Sequence, residues 1–588
     1  MCGICGEFKF NQGSFDQRKL DNLMSSISKR GKDSNGTYKD KNIFLGHHRL
    51  AIIDTSNKSN QPMKVGKYVI VFNGVIFNYR YLRKKLIKKG YNFKTSGDTE
   101  VIIQAYIEYG SKCVEYLDGV FAFSIYDAEK KTLFLARDRI GIKPLYYLKE
   151  NNQFYFSSNM KGIIKNMNSA QINPIALNYQ FTLHSVVPAP YTIISDINKL
   201  EPGHTLTISK SGGLIKNKYF DANQIGLSDY SHDEINENLT SLINSAIEKR
   251  INVADVPVGI LLSGGLDSSL ITAIAKNYKE ELNTFSIGFN TIADEKGDEF
   301  YYSDSVANDF KTKHHKYKIS DKDLLDNLDE VIMNMSEPMF SQDSSAFYLL
   351  SKKVSEKTKV VLSGQGADEV FGGYFWYRKI MNEKTSSDID KLSRYYFDRT
   401  FNSYSSAISN EFVIDNFAFN DIKLKLNQMD SSLSLLDKVF RLELSMFIID
   451  DPVKRVDNMT MSHSLEARVP FLDIELIKFM LSVKSEQKMM HQDKHLLKNL
   501  SKSYLKNEVI NREKFYFPVP PLKIIKDNFF DYCKNILLSS EALERNIFQR
   551  QYIEKLLEKP NESFTNLNGN ELWHFTLLER WLQLNVEQ

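Results

Sequence analysis

The first two hundred residues alternate short apolar runs with turns: "YVIVFNG", "VFAFSIYD", "TLFLARDR", "PLYYL" and "NQFYFSSN". Runs of this length, rich in Val, Ile, Phe and Tyr, predict strands. Between them "NYRYLRKKLIKKG" and "DTEVIIQAYIEYG" keep helical spacing and stop at Gly90 and Gly110, residue types that end helices because they reach positive φ without strain. The first half is therefore mixed strand and helix.

The pattern lapses in "NKYFDANQIGLSDYSH", a polar stretch that predicts a linker over 216–232 between one domain at 2–215 and a second at 233–588. The second begins with the S-x-x-E capping box of Ser231 and Glu234, after which Ile235, Leu239, Leu242, Ala246 and Ile247 line one helical face. Next come a strand, "VPVGILL", the loop "SGGLDSS", a helix, "LITAIAKNY", and another strand, "TFSIGF". This order predicts a βαβ unit with its Gly-rich turn at the carboxyl end of the first strand, where open α/β sheets place ligands. A later strand, "KVVL", runs into "SGQGADEVFGGY", a second Gly-rich loop able to reach the same crevice. Beyond residue 375 the chain reads as mostly helical and without internal repeats.

With 588 residues the chain exceeds one hydrophobic core, and an allowance of about 150 residues per domain predicts several units. Its 76 basic and 73 acidic side chains nearly cancel to +3, which makes no electrostatic case for nucleic acid or an anionic membrane. No apolar run is long enough for a membrane helix and no signal-peptide pattern opens the chain, so a cytoplasmic protein is expected. Four cysteines, Cys2, Cys5, Cys113 and Cys533, do not make a disulfide scaffold. Cys2 and Cys5 have C-x-x-C spacing, yet no second soft-ligand pair completes a zinc site.

The loop from Ser263 to Ser269 has what phosphate binding requires: Gly264 and Gly265 for close backbone approach, serine hydroxyls, and a following helix N-terminus. It lacks the lysine of the Walker pattern. Asp267 in this loop, with Asp368 and Glu369 in the second, would repel phosphates unless a cation intervened, and hard carboxylate oxygens beside phosphate oxygens suit Mg2+. A magnesium-bridged nucleotide between the two loops follows; helix capping is the competing reading of Asp368 and Glu369.

"SGGLDSS" resembles the pyrophosphate loop of N-type ATP pyrophosphatases. With "SGQGADEVFGGY" and "SLEARVPFLD" the second half resembles the synthetase domain of glutamine-dependent asparagine synthetases. That resemblance implies an adenine-nucleotide-hydrolase-like parallel-sheet domain with a helical C-terminal part. It implies activation of a carboxylate by ATP as an acyl-adenylate, release of pyrophosphate, and displacement of AMP by ammonia. On it, Ser263, Gly264, Gly265, Asp267, Ser268 and Ser269 grip the β- and γ-phosphates, and Leu262, Ile287, Ser363 and Gly364 hold the adenosine. Asp267 and Asp368 are the metal ligands it implies, and Lys494 in "DKHLLK" neutralises charge as the adenylate forms.

An enzyme that needs ammonia can take it from glutamine with a thiolate, a base and an oxyanion hole. A cysteine left at the N-terminus by loss of Met1 supplies the thiol and, in an α-amine of pKa near roughly 8, the base. "MCGICGEF", "GHHRLAIID", "FNGVIFNYRYLR", "SGDTEVI" and "LARDRIGIKPLYY" resemble class II glutamine amidotransferases and their N-terminal-nucleophile αββα sandwich. The resemblance makes Cys2 the nucleophile, Asn73 and the Gly74 N–H the oxyanion hole, Arg49 the partner of the glutamine carboxylate and Asp98 that of its α-amine. Taken singly, Arg49 also reads as an ion pair, Asn73 and Gly74 as a turn and Asp98 as a cap. Departures from the family pattern are Val75 where Glu is usual, Gln365 where an acidic residue is frequent, Lys32 in "RGKD" and Asn159.

From "MSEPMFSQDSSAFYLLSKKV" onward, including "DDPVKRVDNMTMSHSLEARVPFLD", "REKFYFPVPPLK" and "LWHFTLLERWLQ", the chain looks closest to N-acetylglutaminylglutamine amidotransferases. The acceptor carboxylate is thus aspartate on the general resemblance and the acetylated dipeptide on the narrower one. The family also implies an internal ammonia passage and a homodimer, with glutamine, ATP and the acceptor as small-molecule partners. A relative that senses nucleotide or glutamine without turnover is the alternative that Val75 and Gln365 suggest.

Overall fold

The computed structural model describes all residues except 12, 385–386, 514–518 and 587–588. The "KFYFP" part of "REKFYFPVPPLK" therefore lies outside the described residues.

Two six-stranded antiparallel sheets make the first half. One has the order Asn198–Lys199, Tyr146–Glu150, Gln153–Ser157, Gly3–Lys9, Ile43–Arg49, Ser34–Asp40. The other runs Leu214–Lys218, His204–Ile208, Thr132–Arg137, Gly119–Asp127, Tyr68–Ile76, Met63–Val65. Alternation along the strands turns Ile4, Phe8, Ile43 and Leu45 of one sheet toward Val69, Val71, Leu133 and Leu135 of the other, and these form a dry inter-sheet core. The helix Gln17–Ile27 covers the outer face of the first sheet, and Asp98–Tyr109, backed by Tyr79–Lys88, covers the second. This is the αββα sandwich expected. The two helices read from sequence end where Gly90 and Gly110 take φ of 94° and 60°.

Leu214–Lys218 pairs along His204–Ile208, with Lys216 opposite Leu206 and Lys218 opposite His204. Residues 216–218 thus belong to the sandwich rather than to the linker: the strand is exposed at every position, so no apolar alternation announces it. Ser231 and Glu234 form the reciprocal capping box of the helix His232–Asn252. Its buried face includes Ile243, while Leu242 is only half-buried.

The second half is built on a five-stranded parallel sheet in the order Lys313–Lys318, Asn283–Gly288, Val258–Leu261, Val360–Leu362, Glu466–Arg468. The chain leaves Val258–Leu261, builds outward in one direction through the next two strands, then returns to build the other side from Val360–Leu362. The order reverses between Val258–Leu261 and Val360–Leu362, the kind of switch point where α/β sheets open a ligand crevice. Both Gly-rich loops leave the sheet there. From Phe375 on, almost every element is helical; the exception in the sheet is Glu466–Arg468. Among the described residues, no helix is long and apolar enough to cross a membrane.

Candidate active sites

At the N-terminus, Cys2 lies buried just before the strand Gly3–Lys9, in a cavity it shares with Arg49, Gly74, Val75 and Asp98. Its amide N–H donates to Asn73 Oδ1 at 3.1 Å, and Arg30 Nε donates to its carbonyl at 3.1 Å. The Asn73 Nδ2 is buried and has no hydrogen-bond partner, a free donor on the same amide whose Oδ1 accepts from Cys2. Gly74 is required by close approach: a Cβ there would stand 2.2 Å from the Val120 carbonyl.

Met1 is present, so the nitrogen of Cys2 is an amide and cannot take a proton. The terminal amine belongs to Met1 and donates to Glu466 Oε2 at 2.7 Å. Burial pushes the Cys2 thiol pKa up, against the pull of the Met1 ammonium and a contact to the Leu50 carbonyl. In this form the thiol stays protonated. Cys5 points the other way, its sulfur 3.8 Å from that of Met24, because residues three apart on a strand face opposite sides. The two sulfurs do not converge on a metal.

Arg49 ends the strand Ile43–Arg49 and lies in the Cys2 cavity wall. Its guanidinium donates to the Ser56 carbonyl at 2.8 Å and to Asn60 Oδ1 at 2.7 Å, so the following loop holds it in place. Asp98 opens the helix Asp98–Tyr109 and accepts from the Ile76 N–H at 3.1 Å. Burial lifts its carboxyl to about 6, although the hydrogen bond from Ile76 opposes this. Glu466 and Arg468 complete the wall from the second half of the chain. Sequence reasoning did not place them here; "SLEARVPFLD" flagged them only as part of a synthetase motif.

In the second half, Ser263 and Ser268 hydroxyls lie 3.1 Å apart and the Ser263 hydroxyl accepts from the Gly265 N–H at 3.2 Å. The loop is thereby curled onto the N-terminus of the helix Leu266–Ala275. Gly264 has φ of 76°, and a Cβ on it would meet the Ser303 nitrogen at 2.5 Å. Arg512 donates to the Gly264 carbonyl at 3.1 Å and pairs with Glu299. The facing loop comes so near that a Cβ on Gly364 would lie 3.0 Å from that of Asp267.

A cavity of about 150 Å³ lies between the loops. Leu262, Ser263, Asp267, Ser268, Ile287, Ser363, Gly364 and Asp368 line it, as does Gln365. Ser269 does not: its hydroxyl is buried in the first helical turn without a hydrogen-bond partner. Lys494, outside the lining, bridges two of these side chains, with its Nζ 2.6 Å from Asp267 Oδ2 and 2.8 Å from Asp368 Oδ1. Burial alone would lower its pKa, but the two carboxylates raise it. Glu369 turns away and accepts from the Tyr374 hydroxyl at 2.8 Å. Phe285, Glu299 and Phe347, also in the wall, escaped the sequence reading because they lie outside both Gly-rich loops.

A sandwich with a buried cysteine at its amino end, joined to a parallel sheet with two Gly-rich loops at its switch point, has the architecture of an N-terminal-nucleophile glutamine amidotransferase fused to a nucleotide-using synthetase. Comparison with known proteins agrees. The asparagine synthase family profile matches residues 238–583, and the glutamine amidotransferase domain profile matches 1–220. Asparagine synthetase (glutamine-hydrolyzing) 3 of Bacillus subtilis (strain 168) is 31% identical over 593 residues, covering 96% of this chain and 94% of its own. Asparagine synthetase (glutamine-hydrolyzing) 1 of the same organism is 30% identical, covering 100% of this chain and 97% of its own. Asparagine synthetase B (glutamine-hydrolyzing) of Escherichia coli (strain K12) is 28% identical, covering 88% and 82%. The chain belongs to the asparagine synthase family.

Proposed function

We propose that this chain is an ATP-dependent amide synthetase that takes its nitrogen from glutamine. With Met1 removed, the α-amine of Cys2 would lie where its amide now sits, within reach of Asn73 Oδ1, and would serve as base for the thiol. Asn73 Nδ2 and the Gly74 N–H stabilise the oxyanion, while Arg49 and Asp98 hold the two ends of glutamine. The nucleotide sits between the loops, with its phosphates on Ser263, Gly264, Gly265 and Ser268 and its adenosine against Leu262, Ile287, Ser363 and Gly364.

Asp267 and Asp368 fit a divalent cation. Both carboxylates reach one point, now the Lys494 ammonium, and hard oxygen donors beside phosphate suit Mg2+. When bound, such an ion would neutralise phosphate charge. Lys494, already between the two carboxylates, supplies a fixed positive charge beside the phosphates on the protein's own account.

The observation that carries the coupled reaction is the strand Glu466–Arg468. Its side chains wall the Cys2 cavity, and its Arg468 carbonyl accepts from the Ser363 N–H at 2.9 Å, so one strand separates glutaminase and nucleotide sites. Ammonia released at Cys2 would have to pass this strand to reach the nucleotide. The acceptor is aspartate on the general family pattern and N-acetylglutaminylglutamine on the narrower resemblance. An acceptor screen with both, read by mass spectrometry of the product and by AMP and pyrophosphate release, decides between them. Absence of AMP release with every acceptor would instead favour a sensor without turnover.

A further inference from the structure

A second cavity, of about 310 Å³, opens at the seam where the helix Gln17–Ile27 of the sandwich faces the helix Lys454–Met461 of the synthetase half. This falls within the range of small-molecule sites, and neither glutamine chemistry nor nucleotide binding uses it. Its wall carries the cations Lys29, Arg30, Lys161 and Lys165, and among its described lining residues there is no carboxylate.

The four cations are not equally available. Arg30 is committed to the Cys2 carbonyl and, at 2.8 Å, to Asp457. Lys29, half-exposed, pairs with Glu330 at 3.0 Å. Lys161 and Lys165 have no ion-pair partner among the described residues, and Lys161 is half-buried. Its pKa falls to about 8, first through burial and then through Lys165 and Lys29. A positive field also reaches His463 at the same seam, held at about 4 by burial and by Lys32, Lys29 and Lys352. Amide and hydroxyl groups, among them Asn334 and Ser462, make up most of the remaining polar wall.

A cavity whose described wall has two unpaired lysines, neutral hydrogen-bonding groups and no carboxylate, with Glu330 outside the wall and held by Lys29, selects an anion. A free arginine would fork onto carboxylate and phosphate alike, and the one arginine here is already engaged; the available cations are lysines, point charges that bind the higher charge of a phosphate dianion more strongly than a single carboxylate. We propose that the seam cavity binds a small phosphate-bearing molecule of about sugar-phosphate size, with Lys161 and Lys165 meeting the phosphate.

Calorimetric titration of the full chain with ribose 5-phosphate tests this, with citrate as the carboxylate comparison. It reads binding without turnover and so stands apart from the proposed reaction. The expected result is saturable binding that weakens about tenfold or more in Lys161→Gln and Lys165→Gln, at unchanged Tm, and is unaltered by Ser263→Ala in the nucleotide loop. Absence of binding at millimolar ligand, equal affinity in the lysine variants, loss in Ser263→Ala, or citrate binding as tightly would each overturn the proposal.

Discussion

The α-amine of Met1 lies 2.7 Å from the carboxylate of Glu466, across 465 residues of sequence. A residue of the parallel sheet thus caps the amino end of the sandwich, and the free amine stands one residue before the Cys2 thiol that, on the proposed mechanism, it should serve.

The first prediction concerns that one-residue offset. Chain that retains Met1 should hydrolyse no glutamine yet form the amide product from free ammonium, and Cys2→Ala should behave in the same way. Intact-mass spectrometry paired with glutaminase and ammonium-dependent assays checks it. Full glutaminase activity in protein whose mass includes Met1 would sink the mechanism, because an amide nitrogen cannot act as the base.

The sequence singles out Cys2 as the proposed nucleophile, but not the residues that wall its cavity from the other half of the chain. Asn73 and Gly74 lie on a strand and Asp98 on a helix that short apolar runs and helical spacing predict; Cys2, Gly74 and Asp98 line one cavity, and Asn73 accepts from the Cys2 N–H. Glu466 and Arg468 reach the same cavity from a three-residue strand, too short for any periodicity. Lys313–Lys318 is likewise a strand with no apolar alternation, since it sits at the sheet edge and takes its conformation from pairing with Asn283–Gly288. Ser269 shows the converse: the loop motif pointed to it, but the helical turn buries its hydroxyl away from the cavity.

Glu466 gives a pH prediction for Met1-bearing chain. Burial would raise its pKa, yet the Met1 ammonium and Arg468 hold it down at about 2. A carboxylate whose folded pKa is depressed stabilises the fold above its unfolded value, near roughly 4.3, and loses that contribution as pH falls toward the folded one. A shift of this size corresponds to about 3 kcal/mol. The gap in Tm between wild type and Glu466→Gln should therefore be wide at pH 7 and close between about pH 4.5 and 2. A gap constant across that range would contradict the assignment.

Lys494 should matter to one half-reaction only. In Lys494→Met, Asp267 and Asp368 lose the cation between them, and ATP-to-pyrophosphate exchange should fall on the order of 10²–10³-fold. Glutamine hydrolysis, at a cavity Lys494 does not line, should be preserved. Lys494→Arg should recover part of the exchange, since it restores charge with a different shape. Equal loss of both activities in folded protein would mean that the lysine acts on the fold rather than on the phosphates.

The last prediction turns on Asp98, whose carboxyl burial lifts to about 6. Only the ionised form can hold the ammonium group of glutamine, so the apparent affinity for glutamine should fall as pH drops below about 6. KM should rise there with a midpoint at about 6, while kcat follows the titration of the Cys2 α-amine at roughly 8 and is read separately. The Ile76 N–H that Asp98 accepts keeps the side chain in place in either state, so the loss comes from charge and not from movement. Asp98→Asn retains the size and an acceptor oxygen but not the charge; its KM should be high at every pH and lack the acid limb. A glutaminase profile measured from pH 5 to 8 for both proteins gives the answer: a wild-type KM flat across that range would remove Asp98 from glutamine binding.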